Sequence, residues 1–249
     1  ADIRNFTTLA ESLSPRATVE TLNEVYTELF EAVAASNGVL DKFLGDGIMA
    51  HWGAPVTTDR DPLNAVESAA QMLRLAEGLN VKRRVAGLAE IRLGMGVATG
   101  EAIAGAIGSP KRMDYTVIGD SVNLAARLEQ LTKVYGVSLI VDAATAEALA
   151  DSPFTLRDLD TVRVRGRRST AHIFQVLTPE APLADAALAA YGEGRALMAG
   201  GRFADAAPAF ERALAAAADD GPAAVMLGRA RSLERAPPAP DWDGVWGEG

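Results

Sequence analysis

The stretch Asp114-Tyr115-Thr116-Val117-Ile118-Gly119-Asp120-Ser121-Val122-Asn123-Leu124-Ala125-Ala126-Arg127-Leu128-Glu129 constrains this chain most. It opens as an apolar strand, turns at Gly119-Asp120, and continues as a helix with Ser121 near its start. Asn123 and Arg127 are four apart, so on a helix they share one face. That face presents an amide beside a fixed cationic fork, a pairing suited to phosphate or ribose oxygens. Arg127 is equally able to pair with a neighbouring acid on a wet helix surface, the usual fate of a lone arginine.

Bulk properties narrow the chemistry. The 249 residues allow one large domain, or one domain with an appendage. The net charge of −9 argues against a broad nucleic-acid footprint, which needs clustered Lys and Arg. There is no cysteine, hence no disulfide, thiolate nucleophile or Cys-based zinc site. His51 and His172 are the two histidines, and neither sits in a metal or triad motif. No apolar run approaches the roughly 18 residues that span a bilayer, and no signal peptide is visible. The chain reads as soluble and cytoplasmic. Ala1-Asp2-Ile3 resembles the tail of a strand whose start is missing.

In chain order, Ser14-Pro15 starts a helix, and Leu22, Val25, Tyr26, Leu29, Phe30 and Val33 give it an apolar face. Asn37-Gly38 stops it. Two short apolar runs around Gly45-Asp46-Gly47 read as a hairpin. On strict alternation Leu40, Lys42 and Leu44 point the same way. Lys42 then either snorkels or lines a pocket at an interface, and Asp46 is either ordinary turn chemistry or a ligand. Asp61-Pro62 opens a second helix, and Lys82-Arg83-Arg84 reads as a loop or frayed end. Ile91, Leu93, Met95 and Val97 alternate with Arg92, Gly94, Gly96 and Ala98 as a strand. Its glycines leave room for a backbone or ligand to come close. Gly94-x-Gly96 lacks the rest of a dinucleotide fingerprint, and no phosphate-loop motif occurs. Residues 101–108 read as the second strand of a hairpin.

A strand at Val137–Val141, a short helix, and strands around 154–160, 161–164 and 172–177 follow. Gly166-Arg167-Arg168-Ser169 is either a solvated hairpin tip or an anion site near Arg165. This order suggests a mixed sheet packed on one side by helices. Composition shifts near Thr178, and Pro179-Glu180-Ala181-Pro182 reads as a linker. Beyond it, Tyr191, Gly194, Gly201, Phe203, Ala206, Phe210, Ala213 and Leu214 fit a single tetratricopeptide-like hairpin. One such unit cannot bury its apolar face alone, so it needs the main domain or a partner to pack on. The Pro- and Trp-containing end reads as an extended tail anchored by its tryptophans.

Four segments together resemble the class III nucleotidyl cyclases: Asp2-Ile3-x-x-Phe6-Thr7, Lys42 to Gly47, Arg92-Leu93-Gly94, and Tyr115 to Leu128. The resemblance covers about residues 1–178, leaving 179–249 as linker, helical hairpin and tail. It implies an α+β fold: a ferredoxin-like palm core with a mixed sheet and helices on one side, plus the C-terminal hairpin. It also implies a head-to-tail homodimer with active sites at the interface. One subunit would supply Asp2, Asp46 and the Ile3 backbone carbonyl to two Mg²⁺ or Mn²⁺ ions. The other would supply Lys42 and Thr116 to read the base, Asn123 to orient the ribose, and Arg127 to stabilise charge on the α-phosphate. Arg92 and Arg165 resemble the family's triphosphate-contacting positions. The activity implied is conversion of ATP to cyclic AMP and pyrophosphate in signal transduction.

A lysine and a threonine suit the adenine edge; guanylate cyclases of the family carry Glu and Cys types there. Thr116, where most adenylate cyclases carry Asp, marks a subgroup resembling bicarbonate-responsive bacterial cyclases, so bicarbonate is an expected activator. The C-terminal region resembles that of cyclases forming the cytoplasmic part of a membrane-anchored receptor. A catalytically weak nucleotide-binding regulatory module is the competing reading. A diguanylate cyclase is not supported, because no Gly-Gly-Asp/Glu-Glu-Phe segment occurs.

Overall fold

Ser14 caps the first long helix with its hydroxyl, which accepts from the Ala17 N–H at 3.2 Å, while Pro15 takes the first helical position. The computed structural model describes residues 1–163, 170–239 and 242–245. In chain order its elements begin with β1 (Asp2–Ile3), α1 (Phe6–Glu11), α2 (Pro15–Ala35), β2 (Val39–Leu44), β3 (Gly47–His51) and α3 (Asp61–Val85). They continue with β4 (Leu93–Val97), β5 (Ile103–Ser109), β6 (Arg112–Ile118), α4 (Asp120–Tyr135), β7 (Leu139–Asp142) and α5 (Ala143–Ala148). The last are β8 (Thr155–Arg163), β9 (Thr170–Leu177), α6 (Asp185–Ala199), α7 (Phe203–Ala216) and α8 (Gly221–Arg235).

Seven strands form one mixed sheet in the order β2-β3-β1-β4-β7-β9-β8. Only β4 and β7 run parallel; the other neighbours are antiparallel. Strand alternation gives the sheet two apolar faces. Leu93, Met95, Leu139 and Val141 join Val25, Leu29 and Val33 of α2 and Val66, Ala69 and Met72 of α3. Ile140, Leu159 and Ile173 point the other way, into a cluster with Leu124, Leu128, Leu131 and Tyr135 of α4. Tyr191, Phe210, Met226 and Ala230 of α6–α8 complete that cluster. The palm-like sheet with its helix layer is therefore present, and α4 with the C-terminal helices adds a second layer. Gly96 permits it: a Cβ there would lie 2.2 Å from the Ala125 carbonyl and 2.4 Å from the Glu129 nitrogen.

Four local expectations are corrected. Residues 103–109 pair with β6 in a separate ribbon and not with β4, because both edges of β4 are taken by β1 and β7. The late strands before residue 164 are one strand, β8, with an irregularity between Asp158 and Asp160. Lys82-Arg83-Arg84 is the last turn of α3, and Arg83 is buried there with its Nε donating to the Ala89 carbonyl at 2.6 Å. Cations in a final turn compensate the helix dipole. The C-terminal hairpin of α6 and α7 is joined by a third helix, α8.

Charged groups tie these helices to the sheet. Arg157 of β8 makes two 2.7 Å bonds to Asp220, the N-cap of α8, and both side chains are buried. Its guanidinium stands 3.6 Å from the centre of the Tyr191 ring. Asp160 accepts from the Tyr135 hydroxyl at 2.6 Å and also pairs with Arg229 and Arg195. In the tail, Trp242 meets Phe203 edge-on and Asp243 pairs with Arg163. Trp246 lies outside the described residues.

Candidate active site

Two groups of side chains stand out. The first is built by the shortest strand. β1 lies between β3 and β4, with Asp2 opposite Gly47 on one side and Gly94 on the other. Asp46 precedes Gly47 in the tight turn between β2 and β3, which brings its carboxylate within the electrostatic reach of Asp2. Gly47 allows the approach, since a Cβ there would lie 2.4 Å from the Ala1 carbonyl. Burial, and then the charge of Asp2, push the Asp46 carboxyl above its ordinary proton affinity. Lys133 of α4 approaches Asp2 at 3.8 Å. Tyr26 of α2 donates its hydroxyl to the Gly45 carbonyl and stacks on Phe43 at 4.3 Å between centroids, which pins the turn. Burial and the charges of Asp46 and Asp2 raise the Tyr26 pKa, so the phenol keeps the proton it donates.

The second group joins the outer strand β2 to the ribbon. Lys42 Nζ donates to Thr116 Oγ1 at 2.9 Å. Both also contact Asp41, whose carboxylate accepts from Thr116 Oγ1 at 2.7 Å and the Val117 N–H at 3.2 Å, with Lys42 at 3.1 Å. Burial pushes the Asp41 carboxyl up, but hydrogen bonds from Thr116, Lys42 and Val117 outweigh it and hold the group below the ordinary range. The sequence pattern missed Asp41, because strict alternation aims it away from Lys42. A bulge between Leu40 and Lys42 breaks that alternation, so Leu40, Lys42 and Leu44 do not share one simple face. His51 lies buried at the end of β3; burial lowers its pKa against the opposing charge of Asp41, leaving a neutral ring.

β6 runs from Thr116 into α4 at Gly119, so Asn123 and Arg127 follow on the first two turns of that helix. Leu124, Leu128 and Leu131 bury the opposite side, which leaves Asn123 exposed and Arg127 half-buried, with one guanidinium nitrogen on Gln130 at 3.0 Å. Arg92 sits just before β4 beside Arg4, exposed, with Glu90 at 4.0 Å. Arg165 lies outside the described residues, as does the Gly166–Ser169 turn. His172 pairs with Asp158 far along the sheet, in neither group.

Asp2, Asp46 and the Ile3 carbonyl are all hard oxygen donors, and the repulsion between Asp2 and Asp46, which adds to burial in raising the Asp46 pKa, is relieved by a bound dication. The residues therefore fit Mg²⁺ or Mn²⁺. Among the described residues no cluster of three or more His, Cys, Asp or Glu could hold a metal alone. Remaining ligands would have to come from substrate or water.

Comparison with known proteins identifies the family. Residues 1–177 match the family described as Adenylate and Guanylate cyclase catalytic domain. The chain belongs to that family. "Adenylate cyclase 1" of Rhizobium meliloti is 36% identical over 176 residues, 71% of this chain and 26% of that protein. "Adenylate cyclase" of Anabaena cylindrica is 32% identical over 70% of this chain and 35% of its own length. The chain thus spans about a third or less of these relatives. Among solved structures, the adenylyl cyclase CyaB from P. aeruginosa superposes with a TM-score of 0.66 at 32% identity, covering 71% of this chain and 90% of that one. The guanylyl cyclase Cya2 superposes with a TM-score of 0.65, also at 32% identity, over 70% and 87%. Near relatives thus act on either purine. No described helix is long and apolar enough to cross a membrane.

Proposed function

We propose that this chain is an adenylate cyclase, converting ATP to 3′,5′-cyclic AMP and pyrophosphate as a head-to-tail homodimer in signal transduction. The observation that carries the reading is the Lys42–Thr116 pair at 2.9 Å, a donor beside a hydroxyl, set apart from the Asp2–Asp46 pair. Lys42 donates to a ring nitrogen of adenine and Thr116 accepts from its exocyclic amine. Asn123 holds the ribose, while Arg92 and Arg165 hold the triphosphate. The ribose 3′-oxygen attacks the α-phosphorus, the bond to the bridging oxygen breaks, and pyrophosphate leaves. The hydroxyl proton passes to Asp2 or water. Arg127 faces the α-phosphate, where negative charge builds in the transition state. Two Mg²⁺ or Mn²⁺ ions, held by Asp2, Asp46 and the Ile3 carbonyl, would lower the hydroxyl pKa and offset triphosphate charge.

A head-to-tail pair brings acids from one copy to the Asn123–Arg127 face of the other. Exposed Phe43, Leu44, Ile103, Tyr115, Ile118 and Val134 supply apolar surface for that contact. The test is complementation. Asp46→Ala and Arg127→Ala homodimers are each inactive with ATP and Mn²⁺. Mixed one to one, half the dimers are heterodimers with one intact site of two, so activity returns to roughly a quarter of wild type. No recovery in a mixture shown to exchange subunits refutes the shared site. No cyclic AMP from wild type at concentrations where it is dimeric would leave a nucleotide-binding regulatory module instead. Bicarbonate activation is part of the proposal; an unchanged rate on adding bicarbonate at fixed pH removes it.

A further inference from the structure

Asp41 occupies the β2 bulge with its side chain only 1% exposed. Its ionised carboxylate can only accept, so the hydrogen bond from Thr116 Oγ1 at 2.7 Å commits the one hydroxyl proton of Thr116 to it. Lys42 then donates into one Thr116 lone pair at 2.9 Å, and its charge stands 3.1 Å from the other Asp41 oxygen as an ion pair. What remains for a ligand is one lone pair on Thr116 and the N–H groups of Lys42 not given to Thr116. The Val117 N–H at 3.2 Å fixes the carboxylate from the backbone side, so the arrangement does not rely on side chains alone.

We propose that Asp41 is a specificity-determining positioning residue of the site: it locks Thr116 as an acceptor beside the Lys42 ammonium, which can only donate, so that the adenine edge is accepted and the guanine edge refused. This rests on the reading that Lys42 and Thr116 face the base. Adenine offers an amine donor at position 6 and an acceptor at ring nitrogen 1. Guanine offers the reverse, a carbonyl at position 6 and an N–H at position 1. Without Asp41, the Thr116 hydroxyl would rotate and donate to the guanine carbonyl, leaving Lys42 alone, against the guanine N–H at position 1, to tell the two apart. The refusal of guanine comes from opposed lone pairs and opposed hydrogens.

The test measures kcat/KM with ATP and GTP for wild type, Asp41→Ala and Thr116→Val, and for the double variant. Alanine removes the oxygen that holds the Thr116 proton and so frees the hydroxyl; asparagine would not, because its amide oxygen would sit where the Val117 N–H and Thr116 Oγ1 both donate. The expected result is that Asp41→Ala lowers the ATP-to-GTP ratio by on the order of 10- to 100-fold. It adds little once Thr116→Val has removed the hydroxyl. An equal loss for both nucleotides, with the ratio unchanged, would mean that Asp41 only supports the fold, and overturns the proposal. If Thr116→Val and Lys42→Glu also leave the ratio unchanged, the base-facing assignment itself has failed. Should Asp41→Ala not fold, wild type is assayed with analogues. Inosine triphosphate, with a carbonyl at position 6, should be much poorer than purine riboside triphosphate, which has only hydrogen there. Equal use of the two overturns the lock.

Discussion

Replacing Asp220 by alanine tests how the C-terminal helices are held to the sheet. Arg157 and Asp220 have side chains 3% and 1% exposed and share two 2.7 Å bonds. Asp220→Ala removes both acceptors and leaves a guanidinium buried beside the Tyr191 ring. Breaking a buried pair from one side costs about 3–5 kcal/mol. Losing the α8 cap adds about 1 kcal/mol. The sum, roughly 4–6 kcal/mol, is a large part of a total stability of about 5–15 kcal/mol. For a chain of this size each kcal/mol moves Tm by about 2–4 °C, so a fall of roughly 10–20 °C is expected. Urea unfolding followed by circular dichroism gives the free energies. Arg157→Met with Asp220→Ala should recover about 2–3 kcal/mol over Asp220→Ala alone, because an apolar side chain suits that site better than an unpaired charge. A cost below about 1 kcal/mol for Asp220→Ala, the range of exposed pairs, would refute the argument, as would strict additivity in the double variant.

Gly96→Ala forces α4 away from the sheet, and an overpacking cost of about 1–3 kcal/mol should appear as a lower urea midpoint. An unchanged midpoint would mean that the close contact with Ala125 and Glu129 is not needed. Tyr26→Phe removes the hydroxyl from the Gly45 carbonyl and loosens the turn that carries Asp46. The metal concentration giving half-maximal rate should rise several-fold while the urea midpoint moves little; an unaltered metal titration counts against this role. For Asp41, whose folded pKa is depressed, the sign follows from linkage. Its stabilisation is fully present above the ordinary carboxylate pKa of about 4 and is lost as pH falls through the lower folded value. Wild type should therefore lose more stability than Asp41→Asn between about pH 5 and pH 3, and parallel stability profiles would contradict it.

The Gly45-Asp46-Gly47 turn and the passage from β6 into α4 were legible because both are local: turn residues and an abrupt change of period mark them. The neighbourhood of Asp2 was legible only through family resemblance, since a two-residue strand carries no periodicity. Asp41 was not legible. A bulge is one extra residue in an otherwise regular strand, and alternation gives the wrong direction for it. The partner of β5 was misassigned for a related reason: hairpin reasoning pairs nearest neighbours and cannot know that β4 already has two. Arg83 looked like a surface cation because its burial depends on the Ala89 carbonyl beyond the end of its own helix. The ionic layer of Arg157, Asp160, Asp220 and Arg229 joins residues more than 50 positions apart, a separation to which local pattern is blind.

The second layer over the sheet has a consequence for where this molecule can be cut. The match to the family ends at Leu177, but Leu159, Ile173 and Tyr135 continue into contact with helices beyond it. Trimming the polypeptide at the homology border would strip a wall from the catalytic half and set its greasy interior against water. α4 is a party wall: its inner side belongs to the appendage as much as to the sheet, while its outer side bears Asn123 and Arg127.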